Sequence, residues 1–444
     1  MSKYLFVFNV VGLSQKYLPY LEKLPAFSRL MTTGITATLN PVFPCLTMPG
    51  QASLVTGTFP NHHGMIANGL YDRERMEVGF WDQYRSLLQA TPVWERIKTK
   101  SPDLKTAVLF WQNTLHAQAD FVVTPKPIHA EHKMIQWCYS KPVGLYEALA
   151  EELGPFNLMN YWGPLASPES SKWITRAAIS ILQKHRPNLM MIYIPHLDYS
   201  CQRFGPEHDA VYRDLQVADQ LIGSFLDEMD HLGITEDSTV AVLSEYALTD
   251  VSEAILPNRL LRDAGFLAVR DIEGGEYLDI EMSRAFAMVD HQIAHIYIKD
   301  MADEPAVYNL LAGTPGVDFV IDAAHKPTYH MDHSRSGELI AVSASDRWFA
   351  YYWWHALEKA PDFAGTVDIH RKPGYDPLEL FFDPKTKSIP LNTSLIKGSH
   401  GAPAKTPEQM GLLILSRKDS IRGKLRPQID MLQVSSILED LLTD

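Results

Sequence analysis

The chain is poor in cysteine, in positive charge and in long apolar runs. Its 444 residues hold three cysteines, Cys45, Cys138 and Cys201. They are odd in number, far apart and without a CxxC spacing, which argues against a disulfide framework or a cysteine-rich zinc site. Lys and Arg number 40 against 53 Asp and Glu, a formal net charge of −13. No basic stripe is present to neutralise a phosphate backbone, so a nucleic-acid polymer is a poor partner. A small anionic substrate would need local positive charge, such as a metal ion, to overcome the repulsive field. No stretch of ~20 apolar residues occurs, so no membrane span is expected. The opening MSKYLFVFNVVGLSQ is a short apolar run broken by Asn9, with no small-residue cleavage pattern. It reads as a buried first strand rather than a leader, and the expected location is cytoplasmic.

Hydrophobic residues make up 46% and charged residues 21%, which is enough apolar material for a sizeable core. Short β-branched runs predict buried parallel strands at Tyr4–Val11, Lys105–Phe110, Leu189–Ile194 and Thr239–Ser244, with one more of the same kind at Gly411–Ser416. Between them, Ser171–Lys184 places Trp173, Ile174, Ala177, Ala178, Ile181 and Leu182 on one helical face. Ala210–Met229 does the same with Val211, Leu215, Ala218, Leu221, Ile222 and Phe225. Alternating strands and helices imply an α/β fold with a mostly parallel central sheet and helices on both faces. Ligands of such sheets bind at the carboxyl ends of strands. Residues 257–390 differ in texture, with many aromatics and turn formers. They read as an inserted cap, with 1–256 and 391–444 forming the core. The cluster Trp348–Trp354 reads as apolar core.

The run Asn40–Gly69 carries the strongest local signal. Thr47 precedes Met48-Pro49, and proline is favoured in a helix's first turn because its position needs no N–H partner. A short helix should follow, ended by Gly57, which puts Thr47 at the N-cap. That place offers free N–H groups and the positive end of a dipole, suited to an anion or a developing alkoxide. An ordinary N-cap threonine is the alternative.

Thr47, Pro49, Thr56-Gly57, Pro60 and His63-Gly64, in order and spacing, resemble the nucleophile segment of the type I phosphodiesterase/nucleotide pyrophosphatase family of the alkaline phosphatase superfamily. That resemblance implies an alkaline phosphatase-like fold, a threonine nucleophile and divalent metal ions, zinc first, with manganese or magnesium as alternatives. It further implies a small phosphate ester, phosphodiester or phosphonate as substrate. The family carries an Asp, then a His four residues later, then Gly-Pro. Asp198 and Gly205-Pro206 match, but Gln202 stands in the histidine's place. His196 is a substitute ligand if the chain stays extended, because side chains two apart then point the same way. The family's Ser-Asp-His-Gly becomes Ser244, Glu245, Tyr246 and Ala247. Its late Gly-x-His-Gly is kept as Gly398–Gly401, with His400 as ligand. Its first-strand Asp falls on Val11, leaving Asn9, two residues earlier on the same strand face, as an oxygen donor.

The resemblance therefore implies Thr47 as catalytic residue and Asp198, His400, Glu245, Asn9, Gln202 and His196 as candidate metal ligands. Gln51, Tyr246, His291, His295 and Arg371 are candidate substrate contacts. In the cap, Asp290, His291 and His295 are also spaced to share a face and bind a metal. Arg335, Arg371 and Lys372 are candidates for neutralising a substrate anion. The other class open to the chain is a degenerate relative that binds a phosphorylated or carboxylated ligand without turnover.

Overall fold

The computed structural model describes residues 2–131, 133–417 and 426–443. Strands β1 (Tyr4–Val10), β2 (Ile35–Asn40), β3 (Thr106–Leu109), β4 (Phe121–Pro125), β5 (Cys138–Lys141), β6 (Leu189–Ile194) and β7 (Ser238–Leu243) come first along the chain. A second sheet of β8 (Ala285–Asp290), β9 (Ile293–Ile298), β10 (Val317–Ile321) and β11 (Leu339–Ser343) then intervenes. The chain returns to the first sheet with β12 (Gly411–Leu415) and β13 (Gln428–Asp430). Nine strands make that first sheet, in the order β13-β2-β12-β7-β1-β6-β3-β4-β5.

The centre of the sheet is parallel: β7, β1, β6, β3 and β4 all pair in one direction. Every residue of β1, β6 and β7 is buried, as expected when both faces are covered. One expectation is corrected here. Gly411–Leu415 is a strand, but it runs antiparallel to both β7 and β2. Apolar periodicity reports burial and carries no information on direction, so the sheet is mixed at its edges.

Helices α1 (Pro25–Thr33), α2 (Thr47–Thr56), α3 (Glu169–His185), α4 (His196–Phe204) and α5 (Asp209–His231) include both amphipathic segments read from the sequence. The predicted faces are the buried ones in α3 and α5. Phe225 of α5 meets Phe6 and Phe8 of β1 edge-on, both with ring centroids 5.1 Å apart. Asp219, also on α5, accepts hydrogen bonds from the Ala26 and Phe27 N–H groups at 2.8 and 3.0 Å. Those donors open α1, whose own Leu24 cannot cap it.

The second sheet carries its own apolar core, which includes Trp348, Tyr351, Trp353 and Trp354. The same core takes in Leu46, Ile66, Ala67 and Phe80 from the N-terminal part. The segment around Thr47 thus lies on the seam between the two cores. No helix among the described residues is long and apolar enough to cross a membrane.

Replacing Asp219 by Ala strands two buried N–H groups. It is expected to cost ~1–3 kcal/mol in urea unfolding, since each lost partner leaves a desolvated donor. A change below a few tenths would show that α1 does not depend on this contact.

Candidate active site

Parallel strands β1, β6 and β7 end side by side, with Asn9 level with Tyr193 and Leu243. The segments that follow them, with α2 and the late glycine–histidine loop, close around one buried cluster. Helix α2 begins at Thr47 itself, with Leu46 as the extended cap residue, so the expected N-cap position is off by one. The Met48 N–H donates to Asn68 Oδ1 at 2.9 Å, Pro49 has no N–H, and the Gly50 N–H returns to the Leu46 carbonyl. The free donors anticipated at this helix start are therefore reduced to the N–H of Thr47. Gly57 closes the helix at φ +70°. Gly50 lets the helix lie against β7's exit, because a Cβ there would sit 2.8 Å from Glu245 Cβ. His63 accepts the Met65 N–H at Nδ1 (3.1 Å), so its Nε2–H donates to Ser53 Oγ at 2.9 Å. The histidine of the second half of the motif is thus a brace for α2.

Thr47 is 4% exposed, and its hydroxyl lies 2.9 Å from the Tyr246 hydroxyl. Burial raises the Tyr246 phenol well above its usual range, so it stays neutral and is a poor base. Tyr246 stacks on His400 (centroids 3.8 Å), His400 lies 3.9 Å from His291, and His291 stacks on Tyr375 at 3.7 Å. Four rings from four separate segments thus form one pile. The Tyr375 hydroxyl donates to Gln202 Oε1 at 2.9 Å, and Gln202 Nε2 donates to Asp198 Oδ2 at 2.5 Å. Asp198 and Gln202 face each other because α4 makes them i and i+4 neighbours.

Three expected site residues lie elsewhere. His196 is helical rather than extended, so it points away from Asp198. It is buried against Ser171 Oγ (2.8 Å) and the Asp214 carbonyl (3.0 Å). His295 sits on β9, between the Ile66 carbonyl and the Gly337 N–H. Arg371 is exposed and pairs with Asp362 and Asp368. The other two cations are also committed. Arg335 donates to the Gly64 and Leu87 carbonyls, and buried Lys372 pairs with Asp376 and Glu379. Asn9, Gln51, Glu245, Tyr246, Gln202, Asp198, His400 and His291 do come together. Asn68, Asp290 and Tyr375 join them. Asn68 and Tyr375 have no motif of their own, and only their position beside Asp290 and Gln202 marks them.

The electrostatics of the cluster are set by burial. It raises the carboxyls of Asp198, Glu245 and Asp290, each to about 7. It holds the imidazoles of His291 and His400 well below their usual range. Asp198 Oδ1, His400 Nε2, His291 Nε2 and Glu245 Oε2 are buried without a hydrogen-bond partner, as are both amide atoms of Asn9. His400 Nδ1 lies 2.7 Å from the Cys45 carbonyl, which can only accept. That nitrogen must carry the proton, so Nε2 presents a lone pair. It faces Asp198 Oδ1 at 3.9 Å, another acceptor.

Either a proton on the raised Asp198 carboxyl or one cation answers two facing acceptors with no donor between them. At the position made by Asn9, Glu245 and Tyr246, the unpartnered atoms are Glu245 Oε2 and the Asn9 amide. Glu245 Oε1 is engaged by Gln51 Nε2 at 3.1 Å, and the neutral Tyr246 phenol is spent on Thr47 and His400. Among the described residues, no three His, Cys, Asp or Glu side chains already surround a single point.

A family model described as type I phosphodiesterase / nucleotide pyrophosphatase matches residues 5–376. The mouse ectonucleotide pyrophosphatase/phosphodiesterase family member 1 is 24% identical over 272 residues, covering 59% of this chain and 26% of that protein. The venom phosphodiesterase of Macrovipera lebetinus is 22% identical over 255 residues, covering 56% and 26%. The chain thus spans about a quarter of the length of these curated relatives. Murine ectonucleotide pyrophosphatase/phosphodiesterase 5 superposes with a TM-score of 0.64 at 17% identity, covering 99% of this chain and 95% of that one. Phosphonoacetate hydrolase from Sinorhizobium meliloti 1021, solved with phosphonoformate, gives 0.65 at 16%, covering 100% and 96%. Both likenesses identify an alkaline phosphatase-like α/β fold.

The three raised carboxyls bind protons more tightly in the folded chain than in the unfolded one, where they titrate near ~4. Their contribution is therefore fully present at low pH and is lost as pH rises from ~4 through about 7. In chelator, Tm is expected to fall between about pH 5 and about pH 8, and Glu245→Gln should flatten the slope. A Tm that rises over that window in wild type would contradict the assignment.

Proposed function

Because this chain belongs to the type I phosphodiesterase/nucleotide pyrophosphatase family, we propose that it hydrolyses a small phosphate ester, phosphodiester or phosphonate with Thr47 as nucleophile. The observation that carries the reading is the placement of Thr47 at the first residue of α2, one hydroxyl contact from the ring pile that ends on His400 and Asp198. Asp198 and His400 would hold one divalent cation, zinc by donor set, whose charge would offset an anionic phosphoryl group in a carboxylate-lined site. Thr47 Oγ would attack phosphorus while the bond to the leaving group breaks, and water would then cleave the phosphothreonine. Tyr246 fixes the Thr47 oxygen, and Gln51 orients Glu245. Thr47 is buried, so substrate entry requires the seam to open. Residues 257–390 would act as the cap that selects the leaving group. The three unpaired, buried cysteines suit a reducing, cytoplasmic location.

A second reading is binding without turnover. It is favoured by the neutral Tyr246 phenol beside Thr47, since no strong base touches the hydroxyl.

Wild type and Thr47→Ala should be compared on aryl phosphomonoester, aryl phosphodiester and phosphonoacetate panels with zinc, manganese or magnesium. Loss of the nucleophile should lower kcat by roughly 10³-fold or more. Equal activity in the variant rejects Thr47 as nucleophile. Saturable phosphonate binding by an inactive wild type supports the binding reading.

A further inference from the structure

We propose that Asp290, supplied by the inserted segment, is a positioning residue for the nucleophile turn and acts through Asn68. The inference rests on the reading of Thr47 as nucleophile and adds the device that holds its turn in place.

Helix α2 has no cap of its own. Thr47 opens it, and the cap residue Leu46 makes no side-chain hydrogen bond to it. An apolar side chain cannot accept the N–H groups that a helix start leaves without partners. Pro49 has no N–H, and the Gly50 N–H donates to the Leu46 carbonyl at 2.8 Å. The Met48 N–H, one peptide on from Thr47, donates instead to Asn68 Oδ1 at 2.9 Å. Asn68 thus serves as a side-chain cap delivered from 20 residues further along the chain.

Asp290 sets the orientation of that cap. The Met48 N–H can only donate, so the Asn68 oxygen must face it and Nδ2 must face away. Nδ2 donates to Asp290 Oδ1 at 3.1 Å, and the Asn68 N–H donates to Asp290 Oδ2 at 2.7 Å. One carboxyl group therefore holds both donors of Asn68. The hold does not depend on the charge of Asp290. Both bonds are accepted by oxygen lone pairs, and a proton on Oδ1 would go to His291 Nδ1, 2.7 Å away. The Trp81 N–H donates to the Asn68 carbonyl at 3.0 Å, so each polar atom of Asn68 has a partner.

Asp290 is itself fixed. It is fully buried and ends β8, opposite Ile293 across the hairpin to β9. The Val289 carbonyl before it accepts the Tyr375 N–H at 3.0 Å, and the Gln292 N–H after it donates to the His400 carbonyl at 3.0 Å. The inserted segment thus reaches the first turn of α2 through one carboxyl and one amide. A displacement of about 1 Å at a reacting atom can cost on the order of 100-fold in rate. The clamp bears on where Thr47 stands, and so on kcat more than on KM.

The test compares the full-length wild type with Asp290→Asn, Asn68→Asp and the double exchange of the two. Asp290→Asn sets an NH₂ group against one of the Asn68 donors. Asn68→Asp sets two carboxyl oxygens against each other, which one shared proton reconciles. The double exchange again places a donor opposite each acceptor, with a neutral His291 accepting at Nδ1. Kinetics are read on the panel substrate that wild type turns over, folded fraction by urea unfolding, and the Met48 amide by hydrogen exchange. Asp290→Asn should lower kcat roughly 10–100-fold with KM within about threefold, and should speed exchange at Met48. Asn68→Asp should keep activity at low pH, where the shared proton is bound, and lose it relative to wild type as pH rises. The double exchange should recover most of kcat across that range, together with Met48 protection, and does so even if Asp290→Asn folds poorly. Wild-type kcat per folded Asp290→Asn molecule, or a double exchange no faster than the single variants, overturns this inference and leaves Thr47 standing as nucleophile. A wild type without turnover overturns the nucleophile reading and this role with it.

Discussion

The hydrogen bond from His400 Nδ1 to the Cys45 carbonyl sets the rest of the centre. It ties the late glycine–histidine loop to the segment that leads into Thr47. It also fixes which histidine nitrogen has the proton, and so turns Nε2 toward Asp198 as an acceptor. Cys45 in turn donates its N–H to the Gly401 carbonyl, so the two loops are paired in both directions. Residues 355 positions apart in the chain thereby act as one piece of architecture.

A second constraint is electrostatic. The cluster buries Glu245 and Asp290 and half-buries Asp198, while Arg335, Arg371 and Lys372 are engaged elsewhere. Burial without a cationic side chain drives the carboxyls toward their neutral forms. Only in their ionised forms would these carboxyls repel an anionic substrate, and the cationic side chains Arg335, Arg371 and Lys372 do not offset them. Val11, Gln202 and Tyr246 stand where the family resemblance implies metal ligands, and two of them have other contacts here. Tyr246 covers Thr47, and Gln202 links Asp198 to Tyr375.

Much of the frame was legible in the residues. Apolar runs marked β1, β3, β6 and β7, and spacing marked the buried faces of α3 and α5. These signals survive because burial acts on each segment through its own periodicity. The direction of β12 was not legible, since burial is blind to polarity. His196 misled for a related reason. The helix starts directly after Pro195, and the change from a period of 2 to one of 3.6 turns His196 away from Asp198.

By itself the sequence determined the family, the α/β layering and the placing of Thr47, Asp198 and His400 after strands or at loop ends. The layering follows from apolar pattern, and the family and these three residues from the resemblance of their motifs. Only the tertiary structure decided that His291 enters the cluster while His295, four residues on, turns to the Ile66 carbonyl. It alone showed that the donors opening α2 are largely spent and that Lys372 is locked in a buried ion cluster. These outcomes depend on which partner arrives from a distant segment. Hydrogen bonding and charge are satisfied across the fold, and no single stretch of chain carries that information.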